Sequence, residues 1–310
     1  MEQETAILKN LLNVYWLRPE TAIWRTLDAL QLKKIKFTKP IVDIGCGDGI
    51  FTFSIFGGTV DTNYDVYRTM TKTDKFFSGA DIHDQLSRIN FKIIKKPRIT
   101  IDLGLDWKKN LLEKAKKLKI YQKLVKHDAN KQLPIKKNEF KTVFSNTFYW
   151  MNDIQHILNE SKRICHEDGK IVIFVPDKKF QKSLIFNQYL SKGYLWAKML
   201  DRGIFNNIKH CYSFKEWKDI FSKVGLKIDY HSNYGTEQLV KFWSIGLRPY
   251  SPFLIEMANS LNLKTRTKIK QKLVKDLVPL LKSYLDFEMS EIGKNNCFHL
   301  FVLSKSHDRN

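Results

Sequence analysis

The segment Ile41–Gly49, IVDIGCGDG, constrains this chain more than any other. Ile41, Val42, Asp43 and Ile44 form an apolar run bearing one acid, the pattern of a parallel strand buried on both faces. Gly45, Gly47 and Gly49 then recur at every second position, where the backbone can turn tightly and a ligand can approach with no Cβ in its way. Strand, glycine turn and helix together open a doubly wound α/β sheet with a ligand site at its carboxyl edge. Two other readings fit the same residues: a structural turn whose glycines serve no ligand, and a nicotinamide or flavin site. The spacing is Gly-x-Gly-x-Gly rather than Gly-x-Gly-x-x-Gly, and Asp43 and Asp48 would repel the diphosphate that a helix N-terminus otherwise attracts. A cationic ligand suits two carboxylates better.

Downstream segments keep the order of such a sheet. Leu103-Gly104-Leu105-Asp106 enters WKKNLLEKAKKL, a helix with Ala115 at its centre. KLVKHDAN and LPIKKNEF follow, then KTVFSN (Lys141 to Asn146), then ILNESKRICHEDGKIVIFVP as helix, turn and strand. With VDIGCGDGIF (Val42 to Phe51) as motif I, the stretch from Ile41 to Pro176 resembles the class I S-adenosylmethionine-dependent methyltransferases of the type 11 kind.

The resemblance implies S-adenosyl-L-methionine as cofactor and in-line methyl transfer (EC 2.1.1.-) as the reaction. It assigns both ribose hydroxyls to Asp106, whose other reading is a helix N-cap carboxylate. Asp128 would accept from the exocyclic amine of adenine and Ala129 would offer its backbone N–H. Asp43, Gly45, Cys46, Gly47, Gly49, Trp107 and Asn146 complete the expected cofactor contacts. Candidate substrate contacts are Tyr15, Arg18, Tyr149, Trp150 and Tyr212, and aromatic faces among them would favour a sulfonium. The same aromatics would also serve as core. His210 is the first candidate base, followed by His83 and, more remotely, His156. The phrase YWLRPE, with Tyr15, Trp16 and Arg18, resembles an N-terminal segment of bacterial methyltransferases from surface-polysaccharide clusters.

One departure from the pattern sets the organisation. Asp43 and Asp106 are 63 residues apart, whereas a plain βαβ unit places its acid about 20 residues after the glycine turn. An insertion must lie between the first helix and the second strand. Asp61 and Asp65 sit nearer the ordinary distance, but Gly57 and Gly58 break the pattern there and no clear amphipathic helix follows.

Residues 1–40 should form two short helices broken at Arg18-Pro19, and 41–310 a seven-stranded Rossmann-like methyltransferase domain. Ser213 with Glu216 marks a capping-box helix. KIDYHSNY and NCFHLFVLSK should close the sheet as an antiparallel hairpin. Insertions at about 57–98, 178–211 and 236–293 are expected to cap the substrate. The last contains KTRTKIKQKLVKDLVPLLKSYL, a basic segment whose apolar residues would lie on anionic lipid or pack on the sheet, with Pro279 disturbing a continuous interfacial helix.

Composition bounds the partners. There are 53 Lys and Arg against 32 Asp and Glu, a net charge of +21, which attracts polyanions at long range. Only ten of the cations are arginine, whereas dedicated phosphate and base recognition favours the bidentate guanidinium. Cys46, Cys165, Cys211 and Cys297 are scattered without a Cys-x-x-Cys pair, so neither a disulfide framework nor a metal site is expected. No apolar stretch approaches the about 20 residues of a membrane span, and the acidic N-terminus argues against a secretory signal, so a cytoplasmic protein is expected.

Ser145-Asn146-Thr147-Phe148 lacks the Asn/Asp-Pro-Pro-Tyr/Phe pattern of enzymes that methylate base amines, and no Pro-Cys pair offers a cytosine C5 nucleophile. The leading acceptor is therefore a small molecule, a sugar or a lipid-linked compound, with no obligate protein partner evident. The contrasting expectations are an RNA methyltransferase and a non-catalytic cofactor- or membrane-binding protein of the same fold.

Overall fold

The computed structural model describes residues 2–69, 90–190, 192–195, 197, 201, 208–246 and 250–306. Strands β1 (Ile41–Ile44), β4 (Ile101–Asp106), β5 (Tyr121–Lys126), β6 (Phe140–Ser145), β7 (Cys165–Pro176), β8 (Leu226–Tyr234) and β9 (Phe298–Lys305) form one sheet in the order β5-β4-β1-β6-β7-β9-β8. The first five in that order are parallel; β9 runs antiparallel to both β7 and β8. This is the Rossmann-like doubly wound sheet with a C-terminal antiparallel pair that the sequence pattern predicts. β2 (Thr59–Val60) and β3 (Ile93–Lys95) pair separately, within the long segment between β1 and β4.

Two apolar layers enclose the sheet. On one face lie α1 (Glu2–Val14), α2 (Pro19–Leu32), α3 (Ile50–Ile55), α4 (Lys109–Leu118) and, from the segment between β8 and β9, α9 (Glu237–Ile245), α10 (Ser251–Asn259) and α11 (Leu263–Ser290). The other face carries α5 (Ile154–Ile164) and α8 (Phe214–Lys223), packed through Ile157, Trp217 and Phe221 onto Phe301 and Leu303. Short helices α6 (Lys178–Ser183) and α7 (Asn187–Leu190) follow β7. No helix among the described residues is long and apolar enough to cross a membrane.

Two local expectations change. α11 runs unbroken through Pro279, because Val274, Leu281 and Leu285 bury one side of it against the core on both sides of the proline, and such packing outweighs local propensity. The turn expected within CHEDGK is strand instead: β7 starts at Cys165 directly after α5, and its pairing with β6 shifts register between Phe140 and Thr142.

The chain leaves β1 toward β4 and β5 and returns to the other side of β1 as β6. That reversal opens a crevice at the carboxyl ends of β1, β4 and β6, where ligands of open α/β sheets bind.

Candidate active site

The glycine turn is held from below by its neighbour strand. Gly45 N and Cys46 N both donate to Leu105 O, at 2.8 and 2.9 Å. Gly45, with φ +74°, cannot carry a side chain, since a Cβ would lie 2.0 Å from Thr147 Oγ1. Thr147 Oγ1 and Ser145 Oγ both donate to Ile44 O, joining the ends of β1 and β6. Gly47, also left-handed at φ +57°, differs: a Cβ there would meet nothing within 4 Å. Its bare peptide faces open space.

Three carboxylates surround this turn. Asp106 accepts from Gly47 N and Lys108 N, each at 2.9 Å, one on each oxygen. Burial raises its pKa against those two amides. Asp43 is buried below the turn, where Tyr121 OH and Thr52 Oγ1 both donate to its Oδ2 at 2.7 Å, and burial lifts it to about 6. Asp48 accepts from Ile50 N at 3.2 Å and so starts α3. The Cys46 thiol is pushed well above its usual value by burial and by Asp43, Asp106 and Asp48 together. Burial is the larger cause, and the three carboxylates that add to it would favour a cationic ligand.

The remaining predicted cofactor residues follow the carboxyl ends of β4, β5 and β6. Asn146 leaves its buried Oδ1 without a partner, a group that costs free energy until something donates to it. Trp107 follows Asp106 with 62% of its surface exposed, and Lys108 Nζ lies 5.1 Å from its ring centre. Asp128 is bound locally, accepting from Asn130 N and Nδ2 at 3.0 and 2.9 Å, and these bonds lower its pKa. Ala129 is buried beside it.

The predicted substrate residues divide. Tyr15 and Tyr149 pack with the α2 face of the core. Burial raises both phenols, Tyr149 to about 12, and the charge of Arg25 opposes the rise in each. Arg18 binds Glu20 at 2.9 Å, stands 5.9 Å over Trp243, and keeps a buried Nη2 unpartnered. Trp150 is exposed at the end of the turn after β6. Tyr212 is separated from these, packing at 5.0 Å on Trp217 in the opposite core.

His210 has both ring nitrogens engaged. Nε2 donates to Met151 O at 2.9 Å, which makes Nδ1 the acceptor for Tyr212 OH at 3.0 Å. The ring ties the turn after β6 to the segment before α8, and a base role requires one of these bonds to open. His156 donates its backbone N–H to Asp153 Oδ1 at the start of α5, and His83 lies outside the described residues. Asp65 is taken by Arg266 Nε, Trp16 Nε1 and Tyr67 N. Asp61 accepts from Asn63 and leaves a buried oxygen unpartnered.

Sequence reasoning missed Tyr121, Thr52, Thr147 and Arg25. Arg25 pairs with Asp28 at 2.6 Å and stands 4.6 Å over Phe51 in α3. None of the four carries a motif; the packing of the fold brings Tyr121 and Thr52 to Asp43 and Thr147 to Gly45.

Residues 96–173 match a family model described as a methyltransferase domain. The match takes in β4 to most of β7 and stops short of the glycine turn, from which the long segment after α3 separates it. It does not reach Tyr15–Glu20, and nothing supports the resemblance to surface-polysaccharide enzymes. No curated protein matches the sequence.

Among solved structures, a Haloferax volcanii complex of the Trm112 methyltransferase activator with a methyltransferase is similar at 14% identity and TM-score 0.47, over 93% of this chain and 92% of that one. A Thiobacillus denitrificans SAM-dependent methyltransferase bound to S-adenosyl-L-homocysteine gives 11% and 0.44, over 91% and 90%. A Thermotoga maritima SAM-dependent methyltransferase gives 17% and 0.41, over 67% and 73%.

Proposed function

We propose that the chain is an S-adenosylmethionine-dependent methyltransferase acting on a small-molecule, sugar or lipid-linked acceptor. The carrying observation is the Asp106 carboxylate, fixed by Gly47 N and Lys108 N beside the open side of Gly47. It stands at the carboxyl end of β4, next to the glycine turn, with accepting capacity left on both oxygens for a ribose diol. The residues fit the group: an uncrowded peptide at Gly47, an unpartnered Asn146 Oδ1 and the carboxylates of Asp43, Asp48 and Asp106 around Cys46 all suit an adenosine joined to a cationic thioether. The match of residues 96–173 to a methyltransferase domain supports the same reading.

The bound cofactor would supply a methyl group already activated on a sulfonium. What the chain contributes is placement, and alignment of reactants lowers a barrier by about 7–11 kcal/mol. Asp106 would orient the ribose, Trp107 would offer a face to the base, and Asp43 would offset the positive charge from beneath. Tyr15, Tyr149 and Trp150 would form the aromatic approach for the acceptor, with Arg25 holding the first two in register with α3 through Phe51. A base is needed only where the acceptor atom keeps its proton.

Calorimetry with S-adenosyl-L-homocysteine tests the site. Asp106→Ala should weaken binding at least tenfold, since hydrogen bonds to a charged group are worth about 1.5–3 kcal/mol, with the thermal midpoint recorded to show that the variant folds. Native affinity in a folded Asp106→Ala protein would end the assignment. Transfer of labelled methyl from the cofactor into fractionated cell extract then reveals the acceptor class.

A further inference from the structure

A second concave site lies at the carboxyl edge, away from the glycine turn. Asp177, the residue after β7, borders a cavity of about 600 Å³ formed by α6, the start of α8, the end of β8 and the approach to β9. No residue assigned above to cofactor or acceptor lines it.

Its floor is an ordered chain of imidazoles. His299 Nε2 donates to Asp177 Oδ2 at 2.9 Å, which leaves His299 Nδ1 as an acceptor. His231 Nε2 donates to that atom at 2.9 Å, and Asn233 Nδ2 also reaches it at 3.2 Å. Asp177 and His299 are buried. A carboxylate therefore fixes two rings in series, and His231 Nδ1 is the one ring nitrogen outside the series. The His231 ring packs against both Phe214 and Phe301, at 4.6 and 4.8 Å.

The rim is cationic. Lys178, Lys179, Lys182 and Lys215 border the cavity. Lys178 pairs with Glu216 at 3.0 Å and Lys179 donates to Asn295 O at 3.1 Å. Lys182 and Lys215 have no ion-pair partner among the described residues. Asp177 is the one carboxylate on the lining, and His299 and Lys179 N already engage it. Two ammonium groups with no ion-pair partner among the described residues thus border the same hollow as a fixed imidazole, in a volume suited to a small molecule.

We propose that this cavity binds a phosphorylated small molecule, whose phosphate oxygens are held by Lys182 and Lys215 and one of whose hydroxyl groups, on phosphorus or carbon, donates to the accepting His231 Nδ1. Four lysines share the lining of one hollow, which fits a compact anion. Methyl transfer uses none of these residues, so the two proposals stand or fall separately.

Calorimetry of the full chain with inorganic pyrophosphate at constant ionic strength tests the site. Saturable binding is expected, weakened at least tenfold in Lys182→Ala/Lys215→Ala. Lys264→Ala/Lys268→Ala, which removes the same charge from exposed positions on α11, should change it less than twofold. The side-chain nitrogen resonances of His231 should move during the titration. Absence of saturable binding, equal weakening in both double variants, or a silent His231 would overturn the proposal. So would an RNA oligonucleotide that displaces pyrophosphate and moves the same His231 resonances more tightly than pyrophosphate does.

Discussion

At Asp43 the requirements of folding and of the site oppose each other. Desolvation raises its carboxyl to about 6, against the hydrogen bonds from Tyr121 and Thr52, and Asp106 adds to the rise. The folded chain thus holds this proton more tightly than the unfolded one. The stabilisation from the protonated acid is fully present below about pH 4 and is lost as pH rises through about 6. Asn at this position keeps an acceptor for both hydroxyls and removes the charge. Asp43→Asn should therefore equal the parent near pH 4 and exceed it by on the order of 2–3 kcal/mol at pH 7 in denaturant titrations; a gap that does not change with pH would clear Asp43 of this effect. Retaining a charge whose loss would stabilise the fold is what the proposed cation site would demand. Asp43 and the glycines were legible because their chemistry is local. Tyr121 was not, since 78 residues separate it from Asp43 and only the pairing of β4 with β5 brings it back.

Among the elements, the capped start of α8 was readable to the residue. Ser213 Oγ accepts from Glu216 N while Glu216 Oε2 accepts from Ser213 N, the reciprocal box that the spacing predicts. Glu216 is held at about 2 by these bonds and by Lys178. Ser213→Ala should lower stability by about 1 kcal/mol, measured by urea unfolding, and an unchanged midpoint would mean that Trp217, buried with its Nε1 on Pro176 O, fixes the helix without its cap. α11 was only half readable. Its apolar spacing is plain, but what carries it past Pro279 is the core it meets, and that core is assembled from α1, α2 and the β2 region.

For the whole molecule, long-range polar pairs bind the outer segments to the sheet. Tyr234 OH donates to Asp28 Oδ1 at 2.6 Å and Ser232 Oγ to Gln31 Oε1 at 2.7 Å, joining α2 to β8. Arg266, 3% exposed, meets Asp65 at 2.6 Å and ties α11 to the segment after β2, and buried Lys270 donates nearby to Thr62 O at 3.2 Å. Breaking one side of a buried pair costs about 3–5 kcal/mol. Arg266→Met should show a loss of that size in denaturant unfolding, and Asp65→Asn added to it should recover a part. A double variant as unstable as the summed single changes would show that the two residues do not interact.

The sequence by itself determined the succession of strands along the chain, the glycine turn, the acid at the end of β4 and the capped helix before β8. Each of these is written in a period, a spacing or a backbone freedom that acts over a few residues. The tertiary structure alone decided which hydroxyls hold Asp43, that Asp65 belongs to Arg266, that His210 is tied at both nitrogens, and that Asp177, His299 and His231 line up beside unpaired lysines. Those arrangements join residues far apart in the chain, and their energies arise only once packing has removed water from between them.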